Sequence, residues 1–91
     1  MSASVSYPKL ISKGVVKLLV MANVNGYEIV NEYIEGDLPG QRLYDTWIVM
    51  DGNKQQAIKD KKGKFIRMGH FINQEEAETF AKSQPVINND L

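Results

Sequence analysis

The 91-residue chain has no cysteine and one histidine, and its 11 lysines and arginines match its 11 aspartates and glutamates. Each shortage excludes something. Without cysteine there is no disulfide framework, no thiolate nucleophile and no thiolate zinc ligation, so a reducing cytoplasm is the expected compartment. Without net charge no overall field draws the protein to nucleic acid or to an anionic membrane. Nothing long-range opposes self-association either, which keeps a homodimer among the expectations. The longest apolar stretch, residues 15–24, is interrupted by Lys17 and Asn23 and has half of the roughly 20 residues a bilayer span needs. The first eight residues lack the basic start and apolar run of a signal peptide, so neither a membrane nor that secretory route is expected.

What is present is an ordinary globular mixture, 43% apolar and 24% charged, far from the signature of disorder. The length suits one small core, hence one domain over residues 1–91, with 1–8 and 85–91 expected as flexible ends. Residues 15–21 are rich in valine and leucine, Asn25-Gly26 is a strong two-residue turn, and Tyr27 to Val30 resumes the strand pattern. A hairpin follows from this. Ile11, Val15, Leu18, Leu19 and Ala22 also stand at helical spacing behind Pro8, so residues 8–22 admit a strand or a helix.

The cluster Gly36, Asp37, Leu38, Pro39, Gly40 predicts an exposed loop. Residues 43–50 read as a strand around Tyr44, Thr46, Trp47, Ile48 and Val49, ending at Asp51-Gly52. A second hairpin is expected from 55–59 and 64–68 about a lysine-rich turn at 60–63. Asn73 suits a helix N-cap with Glu76 in the capping-box position, and Glu75 favours the positive helix end. Ala77, Phe80 and Ala81 then make one apolar stripe, with Phe71 or Ile72 placed to staple onto Ala77, and Pro85 closes the helix. The expected fold is α+β: an antiparallel meander of four or five strands with a C-terminal helix over about 73–83 on one face.

Catalytic equipment is scarce. The chain has no nucleophile elbow, phosphate loop or dinucleotide fingerprint, and no cofactor or metal is expected. Asp51-Gly52-Asn53 resembles the start of a calcium loop, but Lys62 stands where the bidentate glutamate belongs. Glu28, Glu32, Glu35 and Asp37 gather in sequence, yet a hydrolytic pair needs a cleft and one carboxyl raised by burial. Glu28 and Glu32 are expected on one solvated strand face. His70 needs an orienting carboxylate and a pocket to act as an acid or base; Asp45 and Asp51 are the candidates, and a surface role is expected instead.

Charge is unevenly spread. Residues 52–71 carry Lys54, Lys59, Lys61, Lys62, Lys64 and Arg67 against Asp60 alone, a local +5 between acidic flanks. With Trp47, Phe65 and Phe71 nearby, that hairpin could bind a nucleic-acid backbone. A lysine-rich turn is also ordinary solvation and edge protection. The order of Trp47, the lysine turn, Gly69-His70-Phe71 and Asn73 to Ala77 resembles the three-strand-plus-helix arm-binding domains of tyrosine recombinases. That resemblance covers only the second half of the chain, its elements recur in many unrelated small α+β proteins, and membership is not assigned.

The expectation is therefore a non-enzymatic module that binds a protein partner. The expected module is a self-sufficient short protein, of the kind small phage or mobile elements encode as inhibitors, those of host defence complexes included. Tyrosine and arginine anchor interfaces most often, which singles out Tyr33, Arg42, Tyr44, Lys61, Lys62 and Arg67. The alternative is a nucleic-acid-binding accessory protein using Lys54, Lys59, Lys61, Lys62, Lys64 and Arg67.

Overall fold

The computed structural model describes residues 6–51, 58–59, 62, 64–67 and 70–86, with the backbone alone for 58–59 and 65–67. The elements are β1 Lys9–Leu10, β2 Val16–Val24, β3 Tyr27–Glu35, β4 Arg42–Met50, β5 Ile58–Lys59, β6 Phe65–Arg67 and α1 Gln74–Lys82. Strands β1 to β4 form one antiparallel sheet in sequence order. With α1 on one face this is the expected α+β meander.

The helical alternative for residues 8–22 is not adopted. Asn25 and Gly26 both take positive φ, 56° and 91°, as a type I′ hairpin requires, and β2 runs straight into that turn. β5 and β6 pair with each other within the expected second hairpin. They form a sheet of their own instead of extending the meander, so the sheet gains its fourth strand from β1. Residues 55–57, 60–61, 63 and 68 of that hairpin lie outside the described residues.

Two register shifts decide which side chains share a face. Between Val20 and Ala22 the β2 register slips by one, so Val20 pairs with Val30 whereas Ala22 pairs with Ile29. Because side chains alternate faces along a strand, the extra residue, Met21, turns Ala22 and Val24 toward the helix. Val16, Leu18 and Val20 point to the other side. One apolar cluster, under α1, joins Tyr27, Ile29, Val49, Phe71, Ala77 and Ala81, with Ala22, Val24, Trp47 and Phe80 around it. The other, on the opposite face, joins Val20, Val30, Ile48 and Met50 with Ile11 and Leu18. Fully burying an aliphatic side chain contributes about 1.5–3 kcal/mol, so Ile29, Val30 and Ile48, each at 0% exposure, are main sources of stability.

The helix is docked at both ends. Before it, Phe71 joins the outer edge of β4 through two backbone bonds with Trp47, 3.1 and 2.7 Å. Its ring stacks tilted on Phe80 at 5.4 Å. The Asn73 side chain accepts from the Glu76 N–H at 2.8 Å, and Glu76 Oε2 accepts from Ile72 N–H at 3.4 Å, a capping box whose return bond lands one residue early. Phe71, not Ile72, packs with Ala77; Ile72 is 81% exposed. At the far end the Asn25 amide donates to the Ala81 and Lys82 carbonyls, both at 3.4 Å, so the β2–β3 turn caps carbonyls the helix cannot satisfy itself.

Tyr27 adds a third tie, its hydroxyl donating to the Pro85 carbonyl at 2.7 Å. Burial first, and the Asp51 charge second, hold this phenol above its ordinary pKa. The fold thus favours the protonated form, and that contribution is whole below the unfolded pKa of about 10 and is lost as pH rises through the folded value. Tyr27→Phe forgoes the bond to Pro85 at a cost of about 1 kcal/mol at neutral pH. Its stability, followed by denaturant melts monitored by circular dichroism, should fall less steeply than the wild type's above about pH 10; parallel curves would contradict this.

Candidate functional site

Nine helical residues rise about 13 Å, whereas nine strand residues extend about 30 Å, so α1 covers only part of its face of the sheet. It packs on the half next to the Asn25-Gly26 turn, against Ala22, Val24, Ile29 and Val49. The same face continues beyond the helix through Leu19 and Lys17, which pair with Asn31 and Tyr33, and through Asp45, which pairs with Tyr33. This remaining half is polar and aromatic.

At its centre lies Asn31, 2% exposed and the buried polar residue of the described core. Its amide donates to Asp45 Oδ1 at 2.6 Å and to the Thr46 carbonyl at 2.9 Å, and its oxygen accepts from Arg42 Nη1 at 2.6 Å. Arg42 Nη1 also reaches Asp45 Oδ1 at 3.2 Å. Arg42 arrives there because of the second register shift: Tyr44 pairs with Ile34 but Arg42 pairs with Glu35. The extra residue, Leu43, brings Arg42 onto the face of Tyr33, over whose ring the guanidinium carbon sits 3.9 Å from the centroid. A cation over an aromatic ring at an exposed site is worth about 0.5–1 kcal/mol, and an exposed ion pair about 0–1 kcal/mol. The buried amide therefore does most to hold the group.

Arg42 and Tyr33 line a concavity of about 460 Å³ with Glu35 and the loop 36–41. The loop is closed on itself: Gly36 N–H donates to the Gln41 carbonyl, Gln41 N–H to the Leu38 carbonyl, and Leu38 N–H to Gln41 Oε1, at 2.8, 3.0 and 3.1 Å. The Gln41 side chain lies over Gly36, where any Cβ would collide with it. Leu38 and Leu43 remain 67% and 69% exposed beside this hollow. A second concavity, about 320 Å³, opens beside the helix between Phe71, Phe80, Glu75, Glu76, Thr79 and Ser83.

Of the residues singled out from sequence, Tyr33 and Arg42 come together here. Tyr44 pairs with Ile34 on the opposite face. Lys62 and Lys64 are exposed, while Lys54 and Lys61 lie outside the described residues. For Lys59 and Arg67 the description stops at their backbone places in β5 and β6. Asn31 and Asp45 were not anticipated as a unit. The available signal was alternation, since Asn31 interrupts the apolar series Tyr27, Ile29, Tyr33 on the helix-facing side.

His70 has a carboxylate neighbour, but not either expected one. Its Nε2 stands 3.2 Å from Glu32 Oε1, the oxygen that also accepts from the Tyr44 hydroxyl at 3.0 Å. The Tyr44 and His70 rings meet edge-on at 6.3 Å. Glu32, expected to be solvated, is thus largely enclosed at 14% side-chain exposure. The imidazole is 40% exposed and lines neither concavity described above. Among the described residues no group of three or more His, Asp or Glu side chains is placed to hold a metal ion, and no helix is long and apolar enough to cross a membrane.

No protein-family model matches the chain, and neither does any curated protein or solved structure.

Two outcomes follow from this geometry. Asn31→Leu removes the buried acceptor 2.6 Å from Arg42 Nη1 and the amide donor to Asp45 and the Thr46 carbonyl, and should lower unfolding free energy by about 1–3 kcal/mol in urea titrations, far more than Asp45→Asn, which keeps an acceptor. Partial desolvation, then the bond to Glu32 and its charge, raise the Tyr44 pKa above the usual 10.0. Glu32→Gln should therefore lower the Tyr44 phenolate midpoint in an ultraviolet titration, with the desolvation part of the elevation remaining.

Proposed function

We propose that this chain is a non-enzymatic recognition module that acts by occupying a partner protein's surface, with the end of the sheet around β3, β4 and the 36–41 loop as its contact region. The observation that carries this reading is the rigid Arg42–Tyr33 pair, anchored on buried Asn31 and flanked by exposed Leu38 and Leu43. Interfaces draw most of their energy from a few arginine and aromatic anchors set among apolar contacts. Side chains already held in one geometry lose less entropy on binding. A stoichiometric inhibitor of the kind phage and other mobile elements encode needs no more than such a surface.

The test is capture from the native host with the wild-type chain and two sets of variants. Leu43→Asp and Tyr33→Ala should abolish retention of a specific protein while Lys62→Glu with Lys64→Glu leaves it intact. Retention lost only in the lysine variants and steeply weakened by salt would transfer the function to nucleic-acid binding. A second copy of the chain is a partner of the same type, and sedimentation across micromolar concentrations reads it directly.

A further inference from the structure

We infer that Arg42 is the seat for a carboxylate offered by the partner protein, an aspartate or glutamate side chain entering the hollow between Tyr33 and the 36–41 loop. This deepens the recognition reading above and rests on it. A guanidinium has five N–H donors in a planar fork. Among the described residues only Nη1 of Arg42 is engaged, by Asn31 and Asp45, so Nε and Nη2 keep their donors while the group lines a 460 Å³ hollow.

The fork is also held in place. Tyr33 supports its face at 3.9 Å, and Asn31, 2% exposed, fixes one nitrogen at 2.6 Å. Asp45 does not saturate it, because the same Oδ1 that lies 3.2 Å from Arg42 lies closer, 2.6 Å, to the Asn31 amide. A planar fork with two free nitrogens matches the two oxygens of a carboxylate.

The charge around the hollow selects among oxyanions. Glu35 and Asp37 share its lining, and their repulsion rises with ligand charge, so a singly charged carboxylate is favoured over a phosphate dianion. Leu38 and Leu43, both exposed, give the flanking contact that an acidic residue within an apolar stretch of a protein can use and a free anion cannot.

The experiment is a nuclear magnetic resonance titration of the intact chain, with sodium acetate replacing chloride at constant ionic strength. Saturable shifts are expected at the Arg42 Nε–H and at the Gly36 and Gly40 amides. Arg42→Lys, which keeps the charge but not the fork, should remove them. Asp45→Asn, which keeps an acceptor for Asn31 but drops the competing charge, should tighten acetate about threefold, a change the size of one exposed ion pair. Thermal melts check that both variants are folded.

Shifts that grow linearly without saturating, or that persist unchanged in Arg42→Lys, overturn the assignment. So does inorganic phosphate saturating the same signals at lower concentration than acetate. Failure here is separable from failure of the recognition reading: a partner retained through Leu43 by a chain that ignores acetate sinks the carboxylate seat alone. Acetate binding in a chain whose Leu43→Asp and Tyr33→Ala variants retain every captured protein sinks the recognition reading alone.

Discussion

The helix is about half as long as the strands it packs on, and the rest of the structure follows from that mismatch. A sheet face must be covered by apolar packing or finished in groups that tolerate water. On the covered half the chain supplies small alanines, Ala22, Ala77 and Ala81, together with Ile29, Val49 and the aromatics Tyr27, Phe71, Trp47 and Phe80. On the other half it turns to Lys17, Asn31, Tyr33, Arg42 and Asp45. The change falls between Ile29 and Asn31, neighbours on the same face of β3.

Register shifts make the two halves possible. Without the bulge at Met21, Val20, Ala22 and Val24 would alternate regularly onto one face, so Ala22 and Val24 could not turn to the helix while Val20 packs with Val30 on the other side. Without the bulge at Leu43, regular alternation would put Arg42 on the face of Tyr44, opposite Tyr33, and the cation–aromatic contact could not form. Bulges also blunt edges. The outer edge of β4 carries that disruption at Leu43 and is occupied by Phe71 at Trp47.

What was legible in sequence was local. Asn25-Gly26 dictates its own backbone geometry, and Asn73 with Glu76 marks a helix start irrespective of the surroundings. Both are encoded within four residues. The ambiguity over residues 8–22 arose because valine and leucine at positions 15, 18 and 19 satisfy two periodicities, and only pairing with β3 separates them. The bulges were illegible for the same reason: an extra residue is defined relative to a partner strand. Tyr33 and Arg42 were chosen as residue types that anchor interfaces, whereas their meeting depends on Leu43. The Glu32–His70 approach joins residues 38 positions apart and has no local signature at all.

Asn31 shows what the polar half exchanges for stability. A leucine there would extend the apolar cluster and bury cleanly, whereas a buried amide must find partners for every donor and acceptor. Asn31 finds them, and each one fixes something: the Thr46 carbonyl ties it to β4, Asp45 is drawn to its amide, and Arg42 is held over Tyr33. A satisfied buried polar group rigidifies its neighbours even where its net energy is small. The long arginine side chain, which loses much rotamer freedom when ordered, is thus ordered on folding. The entropy of fixing Arg42 is met when the sheet forms, so the group is already in position in the folded chain.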